Sequence, residues 1–375
     1  MSPQKTTTVR EQKHFSKYRE PFVSFPSLIE TQLNSFKALL EKGIVEVMKE
    51  FTPITDYSGK KFELHFLSFS VGEPKCSELD AKANKVNYEA PIKARVKLIS
   101  KLGGATKEQE IFMADIPIMT GHGTFVINGV ERVIVPQLAR SAGVFFTENE
   151  LKGKRLFGAK IIPSRGVWIE METDTDGILY VRIDKKRKFP ITSLLRVLGI
   201  TDAEMLKLFT KEHEQKSIAL ALAKDSAKTV MESYVEVYKR LRDGDLATAD
   251  NAKEFIDGTV FGPDRYDISS VGRFRINQQF GGGTDEKDLK VRTLTKEDLV
   301  NIVKYVFELN ITPGAKIEDI DHLGRRRVKY VGELLEQKIR TGMMQIKRNI
   351  QDRMSTVDLA TALPIQIINQ RPLQA

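Results

Sequence analysis

A single cysteine, Cys76, and a single tryptophan, Trp168, stand in 375 residues. One thiol can build neither a disulfide framework nor a cysteine-based zinc site, and it suits a reducing compartment. The five histidines, at 14, 65, 122, 213 and 322, are scattered, and none pairs at metal-ligand spacing. No apolar run reaches the length of about 18 residues that marks a membrane span. The polar amino terminus lacks the apolar stretch of a signal peptide, so neither span nor signal is expected. There is no P-loop and no GxGxxG, and the run Gly281-Gly282-Gly283 lacks the lysine and the strand–helix context of a phosphate loop. Glu172, Asp174 and Asp176 do not follow the EF-hand spacing and read as a solvated turn. No nucleophile–base pair stands out. These absences leave no sign of a self-sufficient catalyst.

What is present is an ordinary globular balance, 41% hydrophobic and 29% charged, in a chain long enough for two or more domains. Lysine plus arginine exceed aspartate plus glutamate by 59 − 50 = 9. That excess favours a polyanionic partner such as nucleic acid, and it serves simple solubility equally well.

The strongest local pattern is residues 115–146, DIPIMTGHGTFVINGVERVIVPQLARSAGVFF. A strand from Ile111 to Met119 turns at Gly121-His122-Gly123 and returns through Phe125-Val126-Ile127. Asn128-Gly129 then supplies φ > 0 at both central positions, as a type I′ hairpin turn requires, with Val133-Ile134-Val135 expected on the far side. Gln137, Arg140 and Gly143 follow the apolar strand, where groups can point at a ligand.

Upstream, residues 1–20 read as a polar arm. A helix is predicted over Ser27 to Leu40, opened by a Ser27/Glu30 capping box and ended by Lys42-Gly43. A strand near Leu64 and Phe66 comes next. Ala90 to Ser100 then alternates Ile92, Ala94, Val96 and Leu98 with Lys93, Arg95 and Lys97, which predicts a half-exposed strand with one basic face. Gly103-Gly104 turns the chain back. Downstream, LFGAKIIPSRGVWIEMET predicts a strand kinked at Ser164-Arg165-Gly166, and Asp174 to Gly177 turns it into ILYVRID. This brings Trp168 close to the cations of RIDKKRK at 182–188. An aromatic beside cations stacks a base while holding its phosphate, although a lone tryptophan is more often a core residue.

Two short helices around Gly199 follow, the second with a Thr201/Glu204 capping box. Its charge set is poor for a DNA groove. Residues 211–258 read as amphipathic helices. Thr295 caps a helix with Leu299, Ile302, Val303, Val306 and Phe307 on one face. After a turn at His322 to Gly324 and a basic cluster, Arg325-Arg326-Arg327 with Lys329, a long helix carries Val331, Leu334, Leu335, Ile339, Met343, Ile346 and Ile350 inward. Glu318, Asp319 and Asp321 are expected to be satisfied by the flanking arginines rather than by Mg²⁺. Lys185, Lys186, Arg187, Arg273, Arg348 and Arg353 are candidate phosphate contacts that would position DNA without reading it.

Several of these stretches carry a resemblance. PIMTGHGTFVINGVERVIVPQLARSAGVFF resembles a signature segment of the bacterial RNA polymerase β subunit, in its amino-terminal part. QLNSFKALLEKGI resembles that family's amino-terminal helix, and AKIIPSRGVWIEMETDTDGILYVRIDKKRKFPITSLLRVLG the start of its lobe. YKRLRDG, FGPDRYDISSVGRFRIN and IEDIDHLGRRRVKYVGELLEQKIRTGM resemble the later lobe and the return to the protrusion. The likeness covers nearly the whole chain. It implies an α+β, two-domain fold, with a mixed-sheet protrusion built from residues 1–141 and 319–375 and an inserted α/β lobe at 142–318. It also implies a fragment of a multisubunit DNA-directed RNA polymerase, a nucleotidyltransferase of the cytoplasm. The implied partners are DNA, the β′, α and σ subunits and the remainder of β. No cofactor is expected in this chain. The catalytic Mg²⁺ belongs to β′, so this chain should catalyse nothing alone.

The resemblance assigns residues as well. Arg140, Ile320, Asp321 and Arg326 match a pocket that captures a non-template-strand base, and Trp168 matches the aromatic that stacks on a neighbouring base. Arg132, Val135 and Gln137 match the edge of the rifamycin pocket. Ala142 stands where the family usually has proline, and Arg325 where asparagine is expected. The alternative is a stand-alone basic nucleic-acid-binding protein of the same architecture.

Overall fold

The computed structural model describes residues 26–101, 104, 106–242, 244, 247–263, 265–356 and 363–374. The expected arm over 1–20 and Gly103 of the expected turn lie outside them. The chain divides into two units, Met1–Pro136 with Tyr330–Ala375, and Gln137–Lys329.

In the first unit, α1 (Glu30–Ala38) runs through a π-helical turn at Leu39–Gly43 into α2 (Ile44–Glu50). Gly43 does not end the helix as expected. Its φ of −59 is helical, and the burial of Ile44, Val47 and Met48 carries the helix past it. The Ser27/Glu30 capping box does not form. The helix starts at Glu30 with Ile29 at its N-cap, so Ser27 lies outside and offers only its carbonyl, to the Glu30 N–H.

Strands β1 (Ile54–Thr55), β2 (Phe62–Val71), β3 (Glu89–Ser100) and β4 (Thr106–Pro117) form an antiparallel sheet in that order, with α3 (Glu78–Ala83) between β2 and β3. Ile92, Ala94, Val96 and Leu98 point into the core, as the alternation predicts. The other face of β3 is not simply basic. Lys93 pairs with Glu110 at 3.0 Å and Arg95 with Glu108 at 3.3 Å across the strand boundary. The helix Val331–Thr356 returns to this unit and lays Val331, Met343, Ile346, Ile350 and Met354 into the same core.

β5 (Phe125–Ile127) and β6 (Val130–Arg132) form the expected hairpin, with Asn128 and Gly129 at φ 52 and 77. A Cβ on Gly129 would lie 2.7 Å from the Lys85 Cα, so this turn needs glycine for space as well as for φ. The far strand is Val130–Arg132, not Val133–Val135. The ladder ends at Phe125↔Arg132, and Val133 and Val135 are exposed beyond it.

The second unit begins with β7 (Gln137–Arg140) and continues through β8 (Gly143–Leu151), β9 (Lys154–Ile162), β10 (Ile169–Thr173), β11 (Leu179–Ile183) and β12 (Phe189–Pro190). β8 to β12 make a five-stranded sheet. The expected kink at 164–166 is the connection between β9 and β10. Helices α4 (Ile191–Val197), α5 (Asp202–Leu208), α6 (Glu212–Lys224), α7 (Val230–Leu241), α8 (Ala249–Ile256), α9 (Ser269–Phe280) and α10 (Lys296–Ile311) share one core with the sheet. The Thr201/Glu204 capping box forms, and Thr295 caps α10 through Asp298. The fully buried Arg196 is held by Asp202 and Asp225, and Asp225 also accepts from Thr192 and Ser193.

The α+β class holds in both units, with one correction. Every described strand pairing is antiparallel, so the sheets are not mixed and the inserted unit is not α/β. The cause is local. Tight turns such as Lys152-Gly153 and Asp174–Gly177 link neighbours, and hairpin links enforce antiparallel pairing. The junctions fall after Pro136 and Lys329 rather than at 141/142 and 318/319. β7 pairs with β13 (Arg326–Lys329), which keeps both stems in the second unit.

Candidate nucleic-acid interface

Val144 of β8, Ile161 of β9, Ile169 of β10 and Ile183 of β11 lie in register at one end of the five-stranded sheet. Whatever leaves the sheet there is gathered within about 15 Å, three strand spacings. Three segments do so: Ser141-Ala142 before β8, the loop 163–168 before β10, and Asp184 to Arg187 after β11.

Trp168 is half-buried in this corner, and its carbonyl accepts from the Asp184 N–H at 2.9 Å. The Lys185 ammonium lies 5.9 Å from the Trp168 ring centroid, within cation–π range. Asp184 and Lys185 have φ of 51 and 57, and the Lys186 N–H closes the turn on the Ile183 carbonyl at 3.0 Å. Two non-glycine residues in the left-handed region cost energy. Here that conformation presents Lys185, Lys186 and Arg187 as an exposed row beside the tryptophan.

The loop carrying Trp168 is braced by residues that sequence reading missed. The Ser164 and Arg165 N–H groups donate to the Asp267 carbonyl at 2.8 and 3.0 Å, and the Asp267 carboxylate is held by Arg292. Gly166, at φ 121, backs onto Tyr266, where a Cβ would lie 2.8 Å from the ring. Gly166 was the one local sign of that close approach.

Arg140 ends β7 and faces Arg326 of β13 as its register partner, so the two Cβ atoms stand about 5 Å apart. Asp321 Oδ1 accepts from Arg140 Nε at 3.3 Å and Nη2 at 3.2 Å, across 181 residues of sequence. The Asp321 N–H is turned onto Asp319 Oδ1 at 2.8 Å, and the half-buried Ile320 lies between them. Arg326 has a buried Nε without a partner and no carboxylate partner among the described residues. Of the two guanidiniums only Arg140 has a carboxylate among the described residues, so the positive charge of Arg326 is left over. The Arg140–Asp321 pair is partly exposed and is worth at most about 1 kcal/mol, so a ligand can rearrange it cheaply. Arg140, Ile320, Asp321 and Arg326 are therefore brought together. Trp168 lies at the end of the five-stranded sheet, not on the β7–β13 pair, and has no bond to them.

The remaining candidates divide. Arg273 is 4% exposed, chelates both oxygens of Asp298 at 2.8 Å and donates to the Val291 and Thr293 carbonyls. It is a buried clasp between α9 and α10, and it cannot reach a phosphate. Arg348 is exposed on the helix of the first unit. Arg353 is exposed too, but its Nη1 donates to the Gln366 carbonyl at 2.8 Å. Arg132 and Val135 are exposed in the first unit, and Gln137 pairs with Lys329 in the second. Among the described residues no three His, Cys, Asp or Glu side chains cluster to hold a metal ion, and no helix is long and apolar enough to cross a membrane.

Residues 140–329 match a family model described as RNA polymerase Rpb2, domain 2, which is nearly the whole Gln137–Lys329 unit. The chain is 43% identical over 362 residues to the DNA-directed RNA polymerase subunit beta of Syntrophomonas wolfei subsp. wolfei, covering 96% of this chain and 32% of that protein. It is 39% identical over 397 aligned residues to the subunit of the same description from Chloroflexus aggregans, covering 97% of this chain and 32% of that protein. The chain spans about a third of the length of the curated relatives it matches.

Proposed function

This chain belongs to the RNA polymerase β-subunit (Rpb2) family, and from that premise we propose that its Gln137–Lys329 unit lines a DNA cleft and grips the unpaired non-template strand. The observation that carries this reading is the pairing of Arg140 with Arg326 across β7 and β13, with Asp321 from the turn before β13 bonded to Arg140. Asp321 commits only Oδ1 to Arg140, which leaves Oδ2 to accept from the N–H edge of a guanine, while the surplus guanidinium takes a phosphate. Ile320 packs beside that base. Trp168 offers a π-face worth about 1–3 kcal/mol per stacked base. Lys185, Lys186 and Arg187 hold the backbone without reading it, and Arg348 and Arg353 are phosphate contacts of the first unit by itself.

In the complete cytoplasmic enzyme this chain would act with β′, α, σ and the rest of β in DNA-templated RNA synthesis. Mg²⁺ would be held by β′ carboxylates, and this chain would supply no catalytic group. Arg132, Val135 and Gln137 would border the rifamycin pocket. The test uses a reconstituted polymerase whose β subunit carries this segment. Arg140→Ala and Trp168→Ala should each weaken binding of a pre-opened promoter fragment by about tenfold. Replacing the captured guanine by adenine should cost a similar amount, and that cost should not add to the loss from Asp321→Ala, since Asp321 is the group that reads the guanine edge. Equal losses on fully duplex DNA would overturn the reading, as would full additivity.

A further inference from the structure

A cavity of about 600 Å³ opens in the second unit between the start of β8, α9, α10 and the loop 316–325. Its size lies within the range of small-molecule sites. Arg275, Gln278 and Gln279 fall at i, i+3 and i+4 on α9 and form one stripe of its wall. From α10, Tyr305 contributes a half-buried ring, held edge-on by Phe146 at 4.5 Å and by Phe280 at 6.2 Å. Lys316 and Arg325 come from the loop.

The charge of this wall is unbalanced. Glu318 is the single carboxylate among its described lining residues, and it is taken by Arg325. The Arg275 guanidinium donates to the Gly324 carbonyl at 3.1 Å, and neither Arg275 nor Lys316 has a carboxylate partner among the described residues. Burial, then the neighbouring Arg325 charge, pull the Arg275 pKa down. The cavity disfavours its own cation until an anion enters.

We propose that this cavity is a binding site for a nucleoside phosphate, separate from the Arg140–Asp321–Arg326 group. Arg275 and Lys316 take the phosphate, the Tyr305 ring bounds the base, and the Gln278 and Gln279 amides meet its polar edge. A braced aromatic ring and two side-chain amides beside unneutralised cations suit a nucleotide better than a bare anion. The nucleotide can be free in solution or one unit of a single strand.

The experiment titrates the full 375-residue chain by calorimetry with deoxyadenosine monophosphate, deoxyadenosine and inorganic phosphate. The monophosphate should bind at least about tenfold more tightly than either part, and Arg275→Gln or Lys316→Gln should each weaken it by about tenfold. Arg140→Gln and Trp168→Ala should leave it unchanged. Absence of binding overturns the proposal. So does equal binding of phosphate alone, or affinity indifferent to Arg275 in a variant whose urea midpoint is unaltered. Competition by a ten-nucleotide single strand, itself sensitive to Arg275→Gln, marks a strand as the source. Without such competition the source is a free nucleotide. Failure of the strand-gripping reading would appear at Arg140 in the polymerase assay, while the Arg275 dependence here would stand.

Discussion

Replacing Arg273 by alanine should unfold the second unit more readily and leave nucleic-acid binding by the folded chain untouched. The guanidinium makes two 2.8 Å bonds to Asp298, one of 2.8 Å to Val291 and one of 2.6 Å to Thr293, at 4% exposure. Its removal strands a buried carboxylate and two carbonyls. Breaking a buried pair in this way costs about 3–5 kcal/mol. With a urea dependence of about 2 kcal/mol per molar, the midpoint should fall by roughly 1.5–2.5 M. Trp168 is the only tryptophan and lies in this unit, so its fluorescence reports this unit alone. Asp298 also caps α10 by accepting from the Thr295 N–H at 2.8 Å. Asp298→Asn keeps an acceptor there, and the double variant Arg273→Met with Asp298→Asn should lose less than the sum of its parts. Salt titration of DNA binding supplies the contrary reading, since a phosphate contact contributes about 0.9 to the log–log slope. A midpoint close to that of the parent chain, together with a slope lower by about one, would refute the buried-clasp account.

Lys185→Gln with Lys186→Gln should lower the salt slope of single-strand binding by about 1.4, at roughly 0.7 per phosphate, and an unchanged slope would remove the turn from the interface. Asp56 predicts a pH effect in the first unit. Burial opposes its charge, but the Ser58 hydroxyl and the N–H groups of Phe62, Lys61 and Ser58 outweigh that and hold the carboxyl below the usual aspartate range. A depressed native pKa stabilises above the unfolded value of about 3.9 and is lost as pH falls through the native value. Urea midpoints by circular dichroism should therefore separate Asp56→Asn from the parent at pH 7, with the gap starting to narrow below about pH 4 and closing only as pH falls through the depressed native value. A gap that persists undiminished at the acid end would contradict this.

What was legible in the sequence was what neighbours decide. The alternation of Ile92 to Leu98, the Asn128-Gly129 turn and the caps at Thr201 and Thr295 each depend on a few adjacent residues, and each appears in the structure. Gly43 misled because tertiary burial along α2 outweighed a local stop signal, and Ser27 because the helix starts three residues later, with Ile29 at its N-cap. The short reach of the Asn128-Gly129 hairpin was hidden too, since Val133 to Val135 have strand composition but no partner strand among the described residues. Arg273 counted as a surface cation because a sequence shows a charge and hides its partner, here 25 positions away. The grouping of Arg140 with Asp321 and Arg326 has no local signature at all. Only the resemblance drew those residues together, and the antiparallel pairing of β7 with β13 supplies the physical reason. The braces at Asp267 and Tyr266 had no counterpart in periodicity.

The β7–β13 pairing is also the place where the chain enters and leaves the second unit, side by side. Its two ends are zipped by a ladder only four residues long. Anything that grasps Arg140 and Arg326 together acts as a removable crosslink between them. Like a covalent bridge, it would restrict the open chain more than it alters the closed one, and the benefit would grow only with the logarithm of the enclosed length. Strand capture at this stem would therefore fasten the unit mechanically. Pulling its ends apart should need more force with the ligand in place, and release of the ligand should return the stem to a latch that thermal motion can open.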